Sequence, residues 1–178
     1  MLKKILIGIA AVIVLFVIIV AMQPSQYRVS RTATIPGSPA VVFEHVNDLH
    51  KWDAWSPWAK LDPAMKVTFD GAQSGTGASY AWVGNKEVGE GKMSITESKA
   101  NELVRLKLEF IKPFASTATT EFTFKPEGEQ TSVTWSMTGD KNFISKAFCL
   151  FMNMDKMIGG DFEKGLAGLK AVVQVAAK

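Results

Sequence analysis

The chain has 178 residues, 47% of them hydrophobic, which is enough for one packed domain and an appendage. Its formal charge of +3 includes Lys3 and Lys4; the rest of the chain balances 18 basic against 17 acidic side chains, a mixture that argues against a nucleic-acid partner, since phosphate binding needs clustered cations. With Cys149 as the single cysteine, an internal disulfide is excluded and no redox compartment is singled out.

Residues Ile5 to Met22 read ILIGIAAVIVLFVIIVAM, without a charge or a polar side chain. As a helix this run spans about 27 Å, close to the roughly 30 Å of a bilayer core. A cleavable signal has a shorter apolar region of about 7–15 residues and a small-x-small site, whereas Val20-Ala21-Met22-Gln23 is a weak one. Residues 1–22 are therefore expected to form a transmembrane anchor. Lys3 and Lys4 point to a cytoplasmic N-terminus in the cell (inner) membrane, with the domain on the extracytoplasmic face. No cysteine follows the run at a lipidation position. Residues 23–26 are a linker, and residues 27–178 are the folded domain.

Tyr27 to Ile35 alternates like a strand. After Pro36-Gly37, Ser38 is placed to cap a helix with Pro39 at its first position. That helix runs from Ala40 to Leu49 with Val42, Phe43 and Val46 on one face. KWDAWSPWAK (Lys51 to Lys60) then holds three of the five tryptophans, Trp52, Trp55 and Trp58, with Pro57 breaking any helix. Ser56-Pro57 turns Trp58 away from the other two. Met65 to Phe69 is a short strand, and Gly71 to Gly77 a glycine-rich turn.

Period-two alternation marks the strands that follow. Tyr80 and Trp82 share a face, as do Met93 and Ile95. Val104, Leu106, Leu108 and Phe110 alternate with Arg105, Lys107 and Glu109. Ala118, Thr120, Phe122 and Phe124 form another apolar row, and Val133, Trp135 and Met137 the last. One apolar and one polar face per strand means an antiparallel sheet with one wet side. A helix from about Ser145 to Val175 completes the chain. Phe148, Phe151, Met152, Met154, Met157, Ile158, Phe162, Leu166, Leu169 and Val173 give it a broad apolar face, with a kink expected at Gly159-Gly160. The fold class is α+β: a curved antiparallel sheet around a long C-terminal helix.

This order resembles the helix-grip fold of the START/Bet v 1-like (SRPBCC) superfamily, which includes polyketide cyclase/dehydrase and lipid-transport proteins. WDAWSPW (Trp52 to Trp58), YAWVGN (Tyr80 to Asn85) with GEGKMSI (Gly89 to Ile95), TSVTWSMTG (Thr131 to Gly139) and GGDFEKGLAGLK (Gly159 to Lys170) look like a membrane-anchored bacterial branch. The resemblance implies an apolar cavity between sheet and helix. Its lining would come from Trp52, Trp55, Tyr80, Trp82, Met93, Leu106, Leu108, Phe122, Trp135, Met137, Phe151, Met154, Met157 and Ile158. The partner would be a lipid or another hydrophobic small molecule, with no cofactor.

Three readings of the tryptophans stay open: a core plug, a ligand wall, and a membrane belt. Met152, Met154 and Met157 are either core or a soft wall for an apolar ligand. His45 and His50 are five apart, a poor spacing for helical metal chelation, so no metal site is expected. Cys149 sits among Phe148, Leu150 and Phe151 as a small hydrophobe, and no G-x-S-x-G or phosphate-loop motif is present. Catalysis would need an inward acid or base; Tyr80, Glu87 and Glu90 are the residues placed to reach a cavity or its mouth. The function expected is non-catalytic binding of an apolar ligand. The alternatives are a cyclase/dehydratase-type enzyme and an interaction module with a filled core.

Overall fold

The computed structural model describes residues 1–176. Helix α1 (Leu2–Ala21) leads into β1 (Gln26–Pro36), α2 (Pro39–Asn47) and two short 3-10 segments, Leu49–Ala54 and Trp58–Lys60. Six strands follow: β2 (Lys66–Gly71), β3 (Ala78–Val83), β4 (Glu90–Lys99), β5 (Leu103–Lys112), β6 (Ser116–Glu127) and β7 (Gln130–Asp140). Helices α3 (Phe143–Cys149) and α4 (Met154–Ala176) close the chain. All seven strands pair antiparallel in one sheet, in the order β1-β7-β6-β5-β4-β3-β2. The first strand and the second thus form opposite edges, and α2 with the tryptophan stretch makes the crossing between them.

The alternation read from the sequence selects the buried face. Val104 and Leu106, Phe122 and Phe124, and Val133, Trp135 and Met137 are all buried, while Arg105, Lys107 and Glu121 are not. Helix α4 lies across this face along β1 and β7, burying Phe162, Leu166, Leu169 and Val173. Arg31 sets its position. The guanidinium donates to Asp155 at 2.9 Å and to Glu163 at 2.6 Å, and it lies over Gly159, midway between them, where a Cβ would collide with it. These hydrogen bonds hold the Arg31 pKa above its ordinary value, and Arg31 holds the Asp155 carboxyl below the usual carboxylate range.

The single C-terminal helix expected from Ser145 to Val175 is two helices. The chain breaks at residues 150–153, and α4 then runs unbroken through Gly159-Gly160, the expected kink position. The cause is Asn153: its side chain accepts from the Lys156 N–H at 3.0 Å and opens a new helix, as Asn142 opens α3 by accepting from Ser145. Ser38 does occupy the residue before α2 with Pro39 next, yet its side chain makes no capping bond.

Helix α1 stands apart. Of its residues only Val20 is buried, at the end that meets α3. Among the described residues it is the one helix with the length and apolarity of a membrane span, properties it shares with N-terminal signal sequences.

Candidate functional site

The tryptophan stretch is held by the end of α2. A helix leaves its last carbonyls without intrahelical donors. Here the Trp52 indole N–H donates to the Val46 carbonyl at 2.9 Å and the Trp55 indole to the His45 carbonyl at 3.1 Å. Both rings are thereby folded inward, 4.7 Å apart, and buried. Trp58, beyond Pro57, takes a separate course and meets Trp135 edge-on at 5.8 Å.

Trp135 is the hub. Its ring stacks on Phe162 of α4 at 4.1 Å and on Phe122 of β6 at 4.6 Å. Its indole N–H donates to the Thr120 hydroxyl at 2.9 Å, which in turn donates to the Ser136 carbonyl, so the polar atoms of this buried cluster are satisfied. Helix α4 comes this close because Gly165 faces Trp135 and Gly168 faces the Trp55 carbonyl, each with an added Cβ only 2.6 Å from its neighbour.

Beyond this aromatic floor, α4 and the sheet part to leave a cavity of about 340 Å³. Its walls bring together Trp52, Tyr80, Trp82, Met93, Leu108, Trp135, Met137, Met154 and Ile158, nine of the residues expected from the sequence. Trp55, Leu106 and Phe122 are instead fully buried in the core and do not line the cavity. Phe151, with 80% exposure, turns outward because it sits in the break at 150–153, and Met157, within α4 itself, lies off the face that meets the sheet. Sequence reasoning did not place Tyr27, Trp58, Met65, Val88, Phe110, Ser116, Thr120 or Asp161 in the lining. Tyr27 and Phe110 were on the correct strand faces, so period two carried a signal for them.

The polar groups in the lining are few. The Trp82 indole is spent on the Val88 carbonyl at 3.0 Å, and its ring lies across Gly91, where a Cβ would strike it. Burial, with a smaller push from the Asp53 charge, drives the Tyr80 hydroxyl up to about 12. Tyr27 is raised as well, first by burial and then by Asp140 and Cys149, and its hydroxyl points at the Met137 sulfur at 3.6 Å. Both phenols therefore stay protonated at neutral pH. Glu87 is on the exposed side of the cavity, and Asp161 is engaged by Lys164 at 3.0 Å. No cluster of His, Cys, Asp and Glu suited to a metal occurs among the described residues.

No curated protein matches the sequence. Similar solved structures include a Thermus thermophilus protein, at 20% identity and a TM-score of 0.62 over 85% of this chain and 100% of the other. A Chromobacterium violaceum protein gives 15%, 0.56, 85% and 98%, and one from Mycobacterium smegmatis gives 15%, 0.58, 84% and 92%. At such identities the likeness speaks for the fold. The family model described as polyketide cyclase / dehydrase and lipid transport matches residues 26–174, from the first residue of β1 nearly to the end of α4. The chain accordingly belongs to the polyketide cyclase/dehydrase and lipid transport family.

Proposed function

We propose that this protein is a membrane-anchored receptor for one apolar small molecule or lipid chain and performs no chemistry on it. The observation that carries this reading is the cavity itself, with tryptophan, methionine, leucine and phenylalanine walls. Burying apolar ligand surface there is worth roughly 25 cal/mol per Å². At about 340 Å³ the cavity lies near the small end of the usual 300–1,000 Å³ range of ligand sites, which favours a compact molecule or a single acyl chain over a whole two-chain lipid. Tyr80, kept protonated, is suited to donate one hydrogen bond to a ligand oxygen.

A cyclase or dehydratase needs a base in reach with a pKa matched to neutral pH. Tyr80 is pushed away from that range, Thr120 is already bonded on both sides, and Asp161 is paired with Lys164. A cavity of this size also weighs against an interaction module with a filled core.

The test is solvent extraction and mass spectrometry of the full chain purified in detergent, beside Leu108→Trp. The wild type should carry an apolar molecule, and the variant, whose indole fills the cavity, should lose most of it without a lower thermal midpoint. Equal recovery from both, or none from the wild type in several detergents, contradicts the reading.

The anchor is α1, with Lys3 and Lys4 on the cytoplasmic side. Alkaline phosphatase fused after Lys178 should therefore be active in cells; an inactive fusion beside a fluorescent cytoplasmic reporter reverses the orientation.

A further inference from the structure

The sheet has two ends, and one of them carries both the cavity mouth and the anchor. Register aligns Gln26 with Asp140, Phe110 with Ser116, Glu90 with Lys112 and Val83 with Glu90, so these residues form one end row. Glu87 and Ser116, the exposed members of the cavity lining, belong to this end. So does α1, joined to β1 through Met22–Ser25, a link no longer than about 14 Å when fully extended.

Part of this end is apolar where it faces outward, beside polar members such as Glu87, Lys112 and Asp140. Phe114, at the tip of the β5–β6 hairpin, is 82% exposed. Ile144 on α3 is 78% exposed, and Phe143, Phe148 and Phe151 are exposed around it. Lys141, Lys146 and Lys156 are interleaved with them. Soluble surfaces rarely carry such a patch without a partner, and phenylalanines with lysines between them suit the boundary of headgroups and acyl chains. The patch is continuous with α1, since α3 packs against its end and buries Val20. We infer that α3 and the β5–β6 hairpin tip are immersed in the surface of the bilayer that α1 spans, so that the cavity mouth opens toward lipid. An apolar ligand then passes between acyl chains and the aromatic floor without crossing bulk water. The inference rests on α1 being an uncleaved anchor. It concerns a second, peripheral contact that an anchor alone does not require.

The experiment uses the full chain with Cys149→Ser, reconstituted in mixed phosphatidylethanolamine and phosphatidylglycerol vesicles. Single spin labels are attached at Phe114→Cys, Ile144→Cys and Phe151→Cys. Val12→Cys on α1 reports insertion, and Glu129→Cys, in the turn at the far end of the sheet, reports the aqueous side. Collision with oxygen, which enters lipid, is compared with collision with a nickel chelate, which stays in water. The expected result is an oxygen-to-nickel ratio several-fold higher at the three rim positions than at Glu129→Cys. Rim labels open to nickel while Val12→Cys lies in lipid overturn the inference and leave the anchor intact. Rim labels shielded from both reagents mean that a protein, or a second copy of this chain, covers the patch, and overturn it too. A Val12→Cys label open to nickel removes the anchor, and the inference falls with it.

Discussion

Replacing Trp135 with alanine should destabilise the protein by about 3–5 kcal/mol, the range for large aromatic truncations in cores. The ring is 2% exposed and clamped between Phe162 and Phe122, at 4.1 and 4.6 Å. Truncation leaves a void in the place where β6, β7, α4 and the tryptophan stretch meet. It also strands the Thr120 hydroxyl, which would keep its bond to Ser136 and lose the indole donor. Denaturant unfolding of the full chain in detergent, followed by far-ultraviolet circular dichroism, measures the loss. A change below about 1 kcal/mol would mean that the cluster is a loose ligand wall rather than core. The Trp135 ring also faces the cavity, so the same variant should also lose the proposed ligand; Leu108→Trp is the change that separates binding from folding.

Two glycines five residues apart in α4 should respond to alanine with opposite signs. Gly160 has nothing within 4 Å of an added Cβ, so Gly160→Ala gains the ordinary helix preference of about 0.5–1 kcal/mol. Gly165 places that Cβ 2.6 Å from the Trp135 ring and 3.3 Å from Pro57. Trp135, stacked on both faces, has no free direction in which to yield. Overpacking of this kind costs about 1–3 kcal/mol, which exceeds the helix gain; since that gain is common to both variants, Gly165→Ala should be the less stable of the two by about 1–3 kcal/mol. Thermal midpoints measured side by side decide the matter. A stabilised Gly165→Ala would show that α4 can lift off the aromatic floor at little cost.

What was legible in the sequence follows from what periodicity encodes. Alternation along β5, β6 and β7 tells which side chains point inward, and the sheet and its wet face follow from that. It does not tell how far inward a side chain meets another. Leu106 and Leu108 share one strand face, yet Leu106 is sealed in the core and Leu108 borders the cavity; the helix that packs on β5 and β6 is α2, from a distant part of the chain, and strand alternation carries no record of it. The C-terminal helix misled for a different reason. Its spacing of three and four continues across residues 150–153, and apolar spacing alone hides the Asn153 cap that restarts the helix. Asn153, followed by Asp155 in the first turn, was the available sign, and with it Phe151 would have been left out of the cavity. The tryptophan stretch was open among core, ligand wall and membrane belt. The carbonyls of His45 and Val46, released by the end of α2, take Trp52 and Trp55 away from a membrane belt.

The pairing of β1 with β7 sets the order of events during synthesis. Gln26 and Asp140, hydrogen-bonded neighbours in the finished sheet, are 114 residues apart in the chain. At translation rates of about 5–20 residues per second, roughly ten seconds separate their emergence. The hairpins from β2 to β7 can assemble locally in that interval, but the edge formed by β1 cannot close until the last strand is made, and α4, which packs along that edge, comes later still. Until then β1 stays unpaired, an open strand edge of the kind that recruits wrong partners. In the anchored form proposed above, α1 would hold β1 within four residues of a membrane and keep that edge spatially confined while the rest of the chain arrives.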